Sequence, residues 1–235
     1  MALSMPLIAA VGIGIVVGGG AVAIANRDAE PQQREAIEAV VRNYILDHPE
    51  LIEESKQRLA MRDTGRVIQG YRHAIETPFA GAWAGNPKGD VVVTLFTDYG
   101  CGYCRKSAAD VDRLLASDAN VRMVWREIPI LGPASEQAAR AALLAAQQNR
   151  YLDFHRRMFS GGPPSDARII EVGRAVGLQR GVGNGITEEI NRNMALANAL
   201  GISGTPSFVV GNQLLNGAVG YDALVEAVAN ARKKG

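Results

Sequence analysis

The two cysteines of the chain, Cys101 and Cys104, lie directly after a run that has the length and composition of a buried strand. That run, residues 91–97, is continuously apolar or β-branched, as expected for a strand covered on both faces. No other cysteine occurs among the 235 residues, so a disulfide framework cannot hold the fold together. With 47% hydrophobic and 21% charged residues, the chain is expected to form its own packed core.

The charges of the chain nearly balance. Lys and Arg number 25 against 24 Asp and Glu, which gives a formal net charge of +1. This balance supplies no general field that would attract nucleic acid or an acidic partner. The sequence therefore predicts no binding to nucleic acid.

Residues 1–26 differ from the rest in composition. From Met5 to Ala25 no residue is charged, and a segment of this length can just cross a bilayer as a helix. Ala23 and Ala25 also form the A-x-A pattern of a signal-peptide cleavage site. We therefore expect either a cleaved signal peptide or an uncleaved membrane anchor. Both alternatives export the remaining chain to a compartment where thiols are oxidised.

Residues 30–76 carry two amphipathic helical patterns, and the first should stop near Asp47 because His48 precedes a proline. Helices of this kind have no core of their own and need a partner surface. That surface is either the downstream domain or the same helices of another copy of the chain. Residues 77–90, rich in glycine and proline, are expected to form a linker or surface loop.

The patterns after residue 91 follow the order strand, helix, strand, helical stretch, two strands and a final helix. The helical stretch covers about residues 133–201 and separates the first two strands from a hairpin that turns at Gly211-Asn212. This order predicts an α/β domain over residues 91–235 with a helical insertion.

Cys101-Gly102-Tyr103-Cys104 is expected at the start of a helix, the context in which a C-x-x-C motif indicates redox chemistry. Residues three apart on a helix are neighbours, so the two sulfurs can form and reopen a short disulfide. Cys101 meets the positive end of the helix dipole, which stabilises its thiolate and predicts a nucleophile. Cys104, one turn further in, is the predicted resolving thiol. No organic cofactor is required.

Metal binding is the alternative use of the cysteine pair. Structural zinc needs four ligands, and His48, His73 and His155 are scattered, so no zinc site is predicted. Two thiolates can hold soft Cu(I), which leaves a copper(I)-binding module as an alternative function. A structural tethering domain with an incidental disulfide is the third alternative.

Gly204-Thr205-Pro206 precedes the predicted hairpin and is expected to lie beside the C-x-x-C motif as a cis-proline loop. A cis bond before Pro206 would leave the backbone of Thr205 free to pair with an extended peptide. An edge residue that merely opens a strand is the structural alternative for this proline.

These motifs resemble the DsbA-like branch of the thioredoxin superfamily. The resemblance covers residues 91–233. It rests on two motifs, Phe96-x-Asp98-Tyr99-x-Cys101-x-Tyr103-Cys104 and Gly204-Thr205-Pro206. It implies a thioredoxin fold with a helical insertion and a periplasmic thiol-disulfide oxidoreductase that acts on substrate proteins as oxidase or isomerase. It also implies a membrane redox partner that recycles the dithiol.

The resemblance assigns roles to individual residues. Cys101 becomes the nucleophile and Cys104 the resolving thiol, and Tyr103, Thr205 and Pro206 face the substrate. Gly102, Tyr103 and Thr205 resemble the disulfide isomerase DsbC more than the oxidase DsbA.

The family often has a buried glutamate six residues before the first cysteine, where this chain has Leu95. Proton transfer to Cys104 therefore needs another group. Asp98 lies nearer the motif, but it is expected to cap the turn into the helix rather than to act as a base.

The helical region before the domain carries a second resemblance. Residues 34–60, with Tyr44-Ile45 and His48-Pro49-Glu50-Leu51-Ile52, are similar to the N-terminal region of the suppressor of copper sensitivity protein C family. In some relatives these helices trimerise. The resemblance thus implies a homo-oligomer formed through residues 30–76.

Overall fold

The computed structural model describes residues 29–179, 181 and 183–233. The chain divides into two compact units, Met1–Gln57 and Arg58–Gly235. The signal peptide or membrane anchor expected for residues 1–26 lies outside the described residues. Among the helices that are described, none is both long enough and apolar enough to cross a membrane.

Two helices precede the sheet. Helix α1 spans Ala29–Asp47 and helix α2 spans Glu50–Glu76, with the break at the predicted place because a residue before proline disfavours helical backbone. The apolar side chains on one face of α1 are between 50% and 68% exposed, and they are Ile37, Val40, Val41 and Tyr44. We call this set the α1 stripe. Its periodicity is that of a buried face, but its side chains are exposed among the residues that the structure describes.

The last turns of α2 pack against the sheet. Ile68 and Ile75 are buried there in a hydrophobic cluster that also contains side chains of the sheet and of a later helix. The buried Arg126 donates hydrogen bonds to the carbonyl oxygens of Ala74 and Thr77 at the end of the helix. Its guanidinium also forms a 2.8 Å ion pair with Glu189. Carbonyls that a helix end would otherwise leave unpaired are thereby satisfied.

Five strands form the described sheet, in the spatial order β1-β3-β2-β4-β5. The strands β2 and β3 are parallel, and the other neighbouring pairs are antiparallel. In β2 and in β3 every residue but the second is buried, which explains their continuous apolar runs. The strand bounds are Trp83–Gly85 for β1, Val91–Thr97 for β2, Val121–Glu127 for β3, Ser207–Val210 for β4 and Gln213–Asn216 for β5.

The stretch expected to be a linker or loop, residues 77–90, contains strand β1. Trp83 lies opposite Val124 in the antiparallel pair with β3, and the N–H of Trp125 donates to the carbonyl of Ala82 at 3.0 Å. The sequence prediction needs this correction because a strand of three residues is too short to show alternation. The domain that carries the sheet therefore begins before residue 91.

Helices cover the sheet. Four of the described helices lie between β3 and β4 and form the predicted helical insertion. Helix α3 packs against β3, α8 packs against β2 and β4, and α3 and α8 pack against each other. The α/β order expected from the sequence is confirmed. The helix bounds are Gly102–Ser117 for α3, Pro133–Gln147 for α4, Tyr151–Ser160 for α5, Asp166–Ala175 for α6, Ile186–Ala199 for α7 and Tyr221–Arg232 for α8.

Candidate active site

Cys101 is the N-cap residue of α3. The chain leaves β2 at Thr97, turns through residues 98–100, and the N–H of Cys101 donates to the carbonyl of Asp98 at 3.1 Å. The Sγ atom of Cys101 accepts a hydrogen bond from the N–H of Cys104 at 3.4 Å. The first sulfur therefore occupies the position where helix N–H groups lack partners, which favours negative charge on it.

The two cysteines differ in accessibility. Cys101 is 7% exposed and Cys104 is 1% exposed, and both are free thiols in this structure. Burial raises the pKa of the Cys104 thiol to about 12, although hydrogen bonds at the sulfur act in the opposite direction. Cys104 is accordingly protonated at neutral pH, and Cys101 is the more exposed of the two cysteines.

The loop before β4 lies against Cys101. Because β4 runs antiparallel to β2 with Ser207 opposite Phe96, the residues before Ser207 reach the segment that follows β2. The thiol of Cys101 donates to the carbonyl oxygen of Thr205 at 3.2 Å, and the bond between Thr205 and Pro206 is cis. The structure thus brings Cys101, Cys104, Thr205 and Pro206 together, as the sequence predicted.

Tyr103 is the remaining residue that the sequence placed at the site. It lies between the cysteines in the first turn of α3, and its side chain is 69% exposed. Tyr103 therefore lies at the exposed edge of the site and not in its interior.

Asp98 is buried and holds the turn before Cys101. One carboxylate oxygen accepts the N–H of Gly100 at 2.7 Å, which agrees with the turn-capping role expected from the sequence. The other oxygen accepts the N–H groups of Ile130 and Leu131 at 2.8 and 3.0 Å. This second pair of contacts joins the loop after β3 to the cysteine turn, and local sequence did not indicate it.

A buried polar cluster packs in the same core as the cysteines. Tyr151 donates to Glu127 at 2.6 Å, and the hydroxyl of Tyr99 lies 3.0 Å from Nδ1 of His155. Burial raises the pKa of Glu127 to about 8, and it lowers the pKa of His155 to about 3. Sequence analysis missed this cluster, since its members come from the end of β2, from β3 and from α5. The only local signal was an acidic residue that closes an apolar strand.

Arg105 and Leu95 complete the neighbourhood of the motif. Arg105 is half-buried and donates to the carbonyl of Gly162 at 3.0 Å. It therefore anchors the loop after α5. Leu95 is buried in β2, so the position that the family often gives to a glutamate carries no ionisable group.

Other candidate sites lie away from the cysteines. Within the described residues, no group of three or more His, Cys, Asp or Glu side chains is arranged to hold a metal ion. A cavity of about 620 Å³ opens between the end of α2 and helix α7, and neither cysteine lines it.

Two family models match the chain in different regions. The model described as DSBA-like thioredoxin domain matches residues 92–229, and the model described as Copper resistance protein ScsC N-terminal domain matches residues 33–63. The resemblances expected from the sequence are therefore confirmed in both regions.

Solved structures support the same assignment. A thioredoxin-like oxidoreductase from Silicibacter pomeroyi is 43% identical and covers 68% of this chain and 95% of its own, with a TM-score of 0.64. The thiol-disulfide exchange protein alpha-DsbA2 from Wolbachia pipientis is 28% identical and covers 73% of this chain and 97% of its own, with a TM-score of 0.68. A linker-deletion variant of Proteus mirabilis ScsC is 24% identical and covers 87% of this chain and 97% of its own, with a TM-score of 0.71. At this identity the similarity supports only the fold.

A curated relative is much longer than this chain. The Na(+)/H(+) antiporter NhaA 3 from Salinispora tropica is 28% identical over 157 residues, which are 60% of this chain and 23% of the antiporter. The chain thus spans about a quarter of the length of that relative.

Three observations agree on the family: the match over residues 92–229, the sheet with its helical insertion, and the cysteine site. The chain belongs to the DSBA-like thioredoxin domain family, a family of thiol-disulfide oxidoreductases.

Proposed function

We propose that this protein exchanges disulfides with substrate proteins in the periplasm, as an oxidase or isomerase, with Cys101 as nucleophile and Cys104 as resolving thiol. The observation that carries the proposal is the position of Cys101 Sγ. It lies at the N-terminus of α3, where it accepts the Cys104 N–H, and 3.2 Å from the carbonyl oxygen of Thr205. A substrate sulfur that approaches Cys101 therefore meets the backbone of Thr205 at once.

The exchange reaction balances in two steps. The Cys101 thiolate attacks one sulfur of a substrate disulfide, which forms a mixed disulfide and releases the other substrate sulfur as a thiolate. Cys104 then attacks Cys101 Sγ, its proton passes to the departing substrate thiolate, and the Cys101–Cys104 disulfide forms. Two electrons pass to the substrate, and the reverse sequence oxidises a substrate dithiol.

Tyr103, Thr205 and Pro206 bind the substrate in this proposal. The half-buried Thr205 has its carbonyl oxygen at the reactive sulfur, and Tyr103 exposes an aromatic ring beside it. An extended segment of substrate can add to the Thr205 backbone in the manner of a strand. No organic cofactor takes part, because the two thiols supply both electrons.

The compartment follows from the N-terminus. Residues 5–25, which lie outside the described part of the chain, contain no charge, and both alternatives for them lead to export. In the periplasm a membrane redox partner recycles the cysteine pair. The protein is either free after cleavage or tethered by this segment.

A second copy of the chain covers the α1 stripe. The stripe is self-complementary in composition, since its members are uncharged, and Arg34 and Glu38 pair with each other beside it at 3.0 Å. Large apolar side chains that stay exposed on one face are typical of an interface. We assign homo-oligomerisation to residues 30–76 on this basis.

A trapping experiment tests the exchange chemistry. Cys104→Ala should accumulate mixed disulfides between Cys101 and scrambled ribonuclease, visible on a non-reducing gel. The matched control is the double variant Cys101→Ser with Cys104→Ala, which should accumulate none. Equal adducts in both variants, or none in either, would contradict the assigned roles.

Measurements of substrate turnover and of the reduction potential then distinguish the candidate activities. Wild-type protein should reduce insulin with dithiothreitol present and should act on either reduced or scrambled ribonuclease. Its reduction potential, measured against a glutathione buffer, assigns the direction of electron flow.

Copper(I) binding is the second candidate, favoured by the match of residues 33–63 to a copper resistance family and by two thiols one helical turn apart. A protein that only carries copper would turn over neither insulin nor ribonuclease.

A further inference from the structure

The cavity of about 620 Å³ between the last turns of α2 and helix α7 has no part in the exchange reaction. Its volume lies within the range of roughly 300–1,000 Å³ that is usual for sites of small organic ligands. All the residues that line it belong to the unit Arg58–Gly235, so it lies inside one compact unit of the chain.

The walls of the cavity are largely apolar. Ala74 at the end of α2 and Ala195 and Ala199 on α7 line it, and their short side chains leave the space between the two helices open. Larger apolar side chains also line it, and among them are Tyr71, Phe79 and Leu196. A hydrocarbon segment held between these walls would be removed from water, which is favourable.

The charged side chains that line the cavity do not balance. Two are the guanidinium groups of Arg126 and Arg192, and one is the carboxylate of Glu189. Oε1 of Glu189 lies 2.8 Å from Nη1 of Arg126, and its Oε2 lies 2.7 Å from Nη2 of Arg192. Two cations therefore share one carboxylate, and protonation of His73, which also lines the cavity, would only add positive charge.

Arg126 is the buried member of this set, with 6% of its side chain exposed. Its Nε is buried and has no hydrogen-bond acceptor among the described residues, although its terminal nitrogens are paired. Burial lowers the pKa of the Arg126 guanidinium, and the positive charge of Arg192 acts in the same direction, against the effect of Glu189. A bound anion would offset this repulsion and offer an acceptor to a donor that lacks one.

The other polar side chains of the cavity offer little to a ligand with many polar groups. The Oδ1 atom of Asn193 accepts from Arg126 at 3.1 Å, and its Nδ2 atom donates to the carbonyl of Glu127 at 3.3 Å. Oγ1 of Thr77 lies 3.5 Å from Nδ1 of His73. The cavity therefore favours a ligand that has one anionic group and is otherwise apolar.

We propose that this cavity binds a linear aliphatic monocarboxylate, with the carboxylate beside the guanidinium groups of Arg126 and Arg192 and the hydrocarbon chain between α2 and α7. The binding is non-covalent, and the site is separate from the cysteines. The inference goes beyond the proposed exchange function and does not depend on it.

Equilibrium dialysis of full-length protein against radiolabelled octanoate tests the proposal. Octanoate should bind saturably, with one molecule per chain, and unlabelled octanoate should displace it. Three competitors each change one feature of the ligand: acetate lacks the hydrocarbon chain, n-octanol lacks the charge, and octylamine carries the opposite charge. Each should compete at least about tenfold more weakly than octanoate, the scale of a hydrogen bond to a charged group or of a few buried methylene groups.

A pair of arginine variants tests the position of the carboxylate. Arg192→Gln removes the more exposed of the two guanidinium groups and should raise the dissociation constant of octanoate at least about tenfold. The control is Arg156→Gln on α5, because Arg156 is also partly exposed and paired with a carboxylate, that of Asp112 at 2.8 Å. It should leave octanoate binding unchanged.

A pair of alanine variants tests the position of the hydrocarbon chain. Ala195→Phe places a ring in the cavity and should abolish saturable binding. Ala175→Phe adds the same ring to an exposed alanine at the end of α6, outside the cavity, and should bind octanoate like the wild type. All four variants should keep the insulin reduction of the wild type, which reports an intact fold.

Four results would overturn the proposal. Wild-type protein without saturable octanoate binding would show that the cavity takes no such ligand, and equal competition by n-octanol would show that it selects no anion. Equal affinities of Arg192→Gln and Arg156→Gln would remove the carboxylate from the guanidinium groups. Unchanged binding by Ala195→Phe would place octanoate elsewhere on the chain, for example on the α1 stripe. The exchange function would stand in each case, because insulin reduction is measured separately.

Discussion

Helix α1 and strand β2 both carry apolar patterns that the sequence alone reveals, but only one of them is buried. Strand β2 lies in the centre of the sheet with nearly every residue covered, whereas the α1 stripe leaves half or more of each side chain exposed. A periodic apolar face shows that a surface will be covered. Whether the same chain covers it depends on the partner surfaces that the chain supplies.

The chemistry of the protein is confined to the region that buries its pattern. Cys101, Cys104 and Thr205 meet because β2 and β4 are neighbours in the sheet. No such assembly exists among the described residues of α1, where the apolar side chains are accessible and uncharged. The two regions therefore invite different perturbations.

The largest effect is expected from charge placed in the α1 stripe. If a second copy covers the stripe, Val40→Asp with Tyr44→Asp buries two carboxylates in an apolar interface. The dissociation constant should then rise at least about a thousandfold, which corresponds to roughly 4 kcal/mol. Analytical ultracentrifugation of the full chain measures this change.

The control for this experiment is Ala39→Asp, on the opposite side of the α1 helical wheel from the stripe. It should leave the mass unchanged. A monomeric wild type, or equal dissociation of control and test variants, would contradict the interface.

A matched pair of isoleucines measures the difference in burial directly. Ile75 is 1% exposed at the end of α2, and Ile37 is 57% exposed on α1. Ile75→Ala should lower the free energy of unfolding by about 2–5 kcal/mol because it leaves a cavity. Ile37→Ala should change it by less than about 0.5 kcal/mol in dilute monomeric protein. Urea denaturation measures both, and similar values would refute the comparison.

Between pH 5 and pH 8 the pH dependence of stability should come mainly from the buried region. Burial raises the pKa of Glu127 from 4.5 to about 8, so the unfolded state loses this proton first as the pH rises. The stability contribution is complete below pH 4.5 and is lost as the pH rises through 8, by on the order of 5 kcal/mol. Glu127→Gln should lack this slope.

The comparison of wild type with Glu127→Gln isolates the carboxyl. His155, whose pKa is lowered to about 3, destabilises both proteins as the pH falls below 6.5, and its effect cancels in the difference. Unfolding free energies at pH 5 and pH 8 suffice. A difference that does not change between these pH values would show that Glu127 is not buried as described.

The smallest effect is expected at the exposed rim of the site. Tyr103→Ala removes a side chain that is 69% exposed, so stability should change by less than about 0.5 kcal/mol. The catalytic efficiency of insulin reduction should fall a few-fold, because the ring contacts substrate in the proposed function. A loss of stability larger than the loss of activity would argue that Tyr103 supports the fold instead.

Much of the site could be predicted because its signals are local. The bounds of β2 coincide with the predicted strand over residues 91–97, since that run is a continuous apolar or β-branched pattern between polar residues. The N-cap position of Cys101 follows from a strand that ends four residues earlier. The contact with Thr205 followed from the order of elements.

The contacts that the sequence did not predict join residues that are distant in sequence. Asp98 was expected to bond within its own turn, but two of its three N–H partners come from residues 130 and 131. Glu127, Tyr151 and His155 meet only when α5 packs on the sheet. Strand β1 exists only because β3 offers it an edge.

The sequence by itself determined which segments of this protein become helix or strand and which two sulfurs can react, because periodicity and three-residue spacing are properties of the chain alone. The tertiary structure decided which sulfur is accessible, which carboxyl is kept protonated by burial and which loop lies against the nucleophile. Those outcomes depend on the solvent and partners that each group loses or gains when distant elements pack, and no local pattern records that packing.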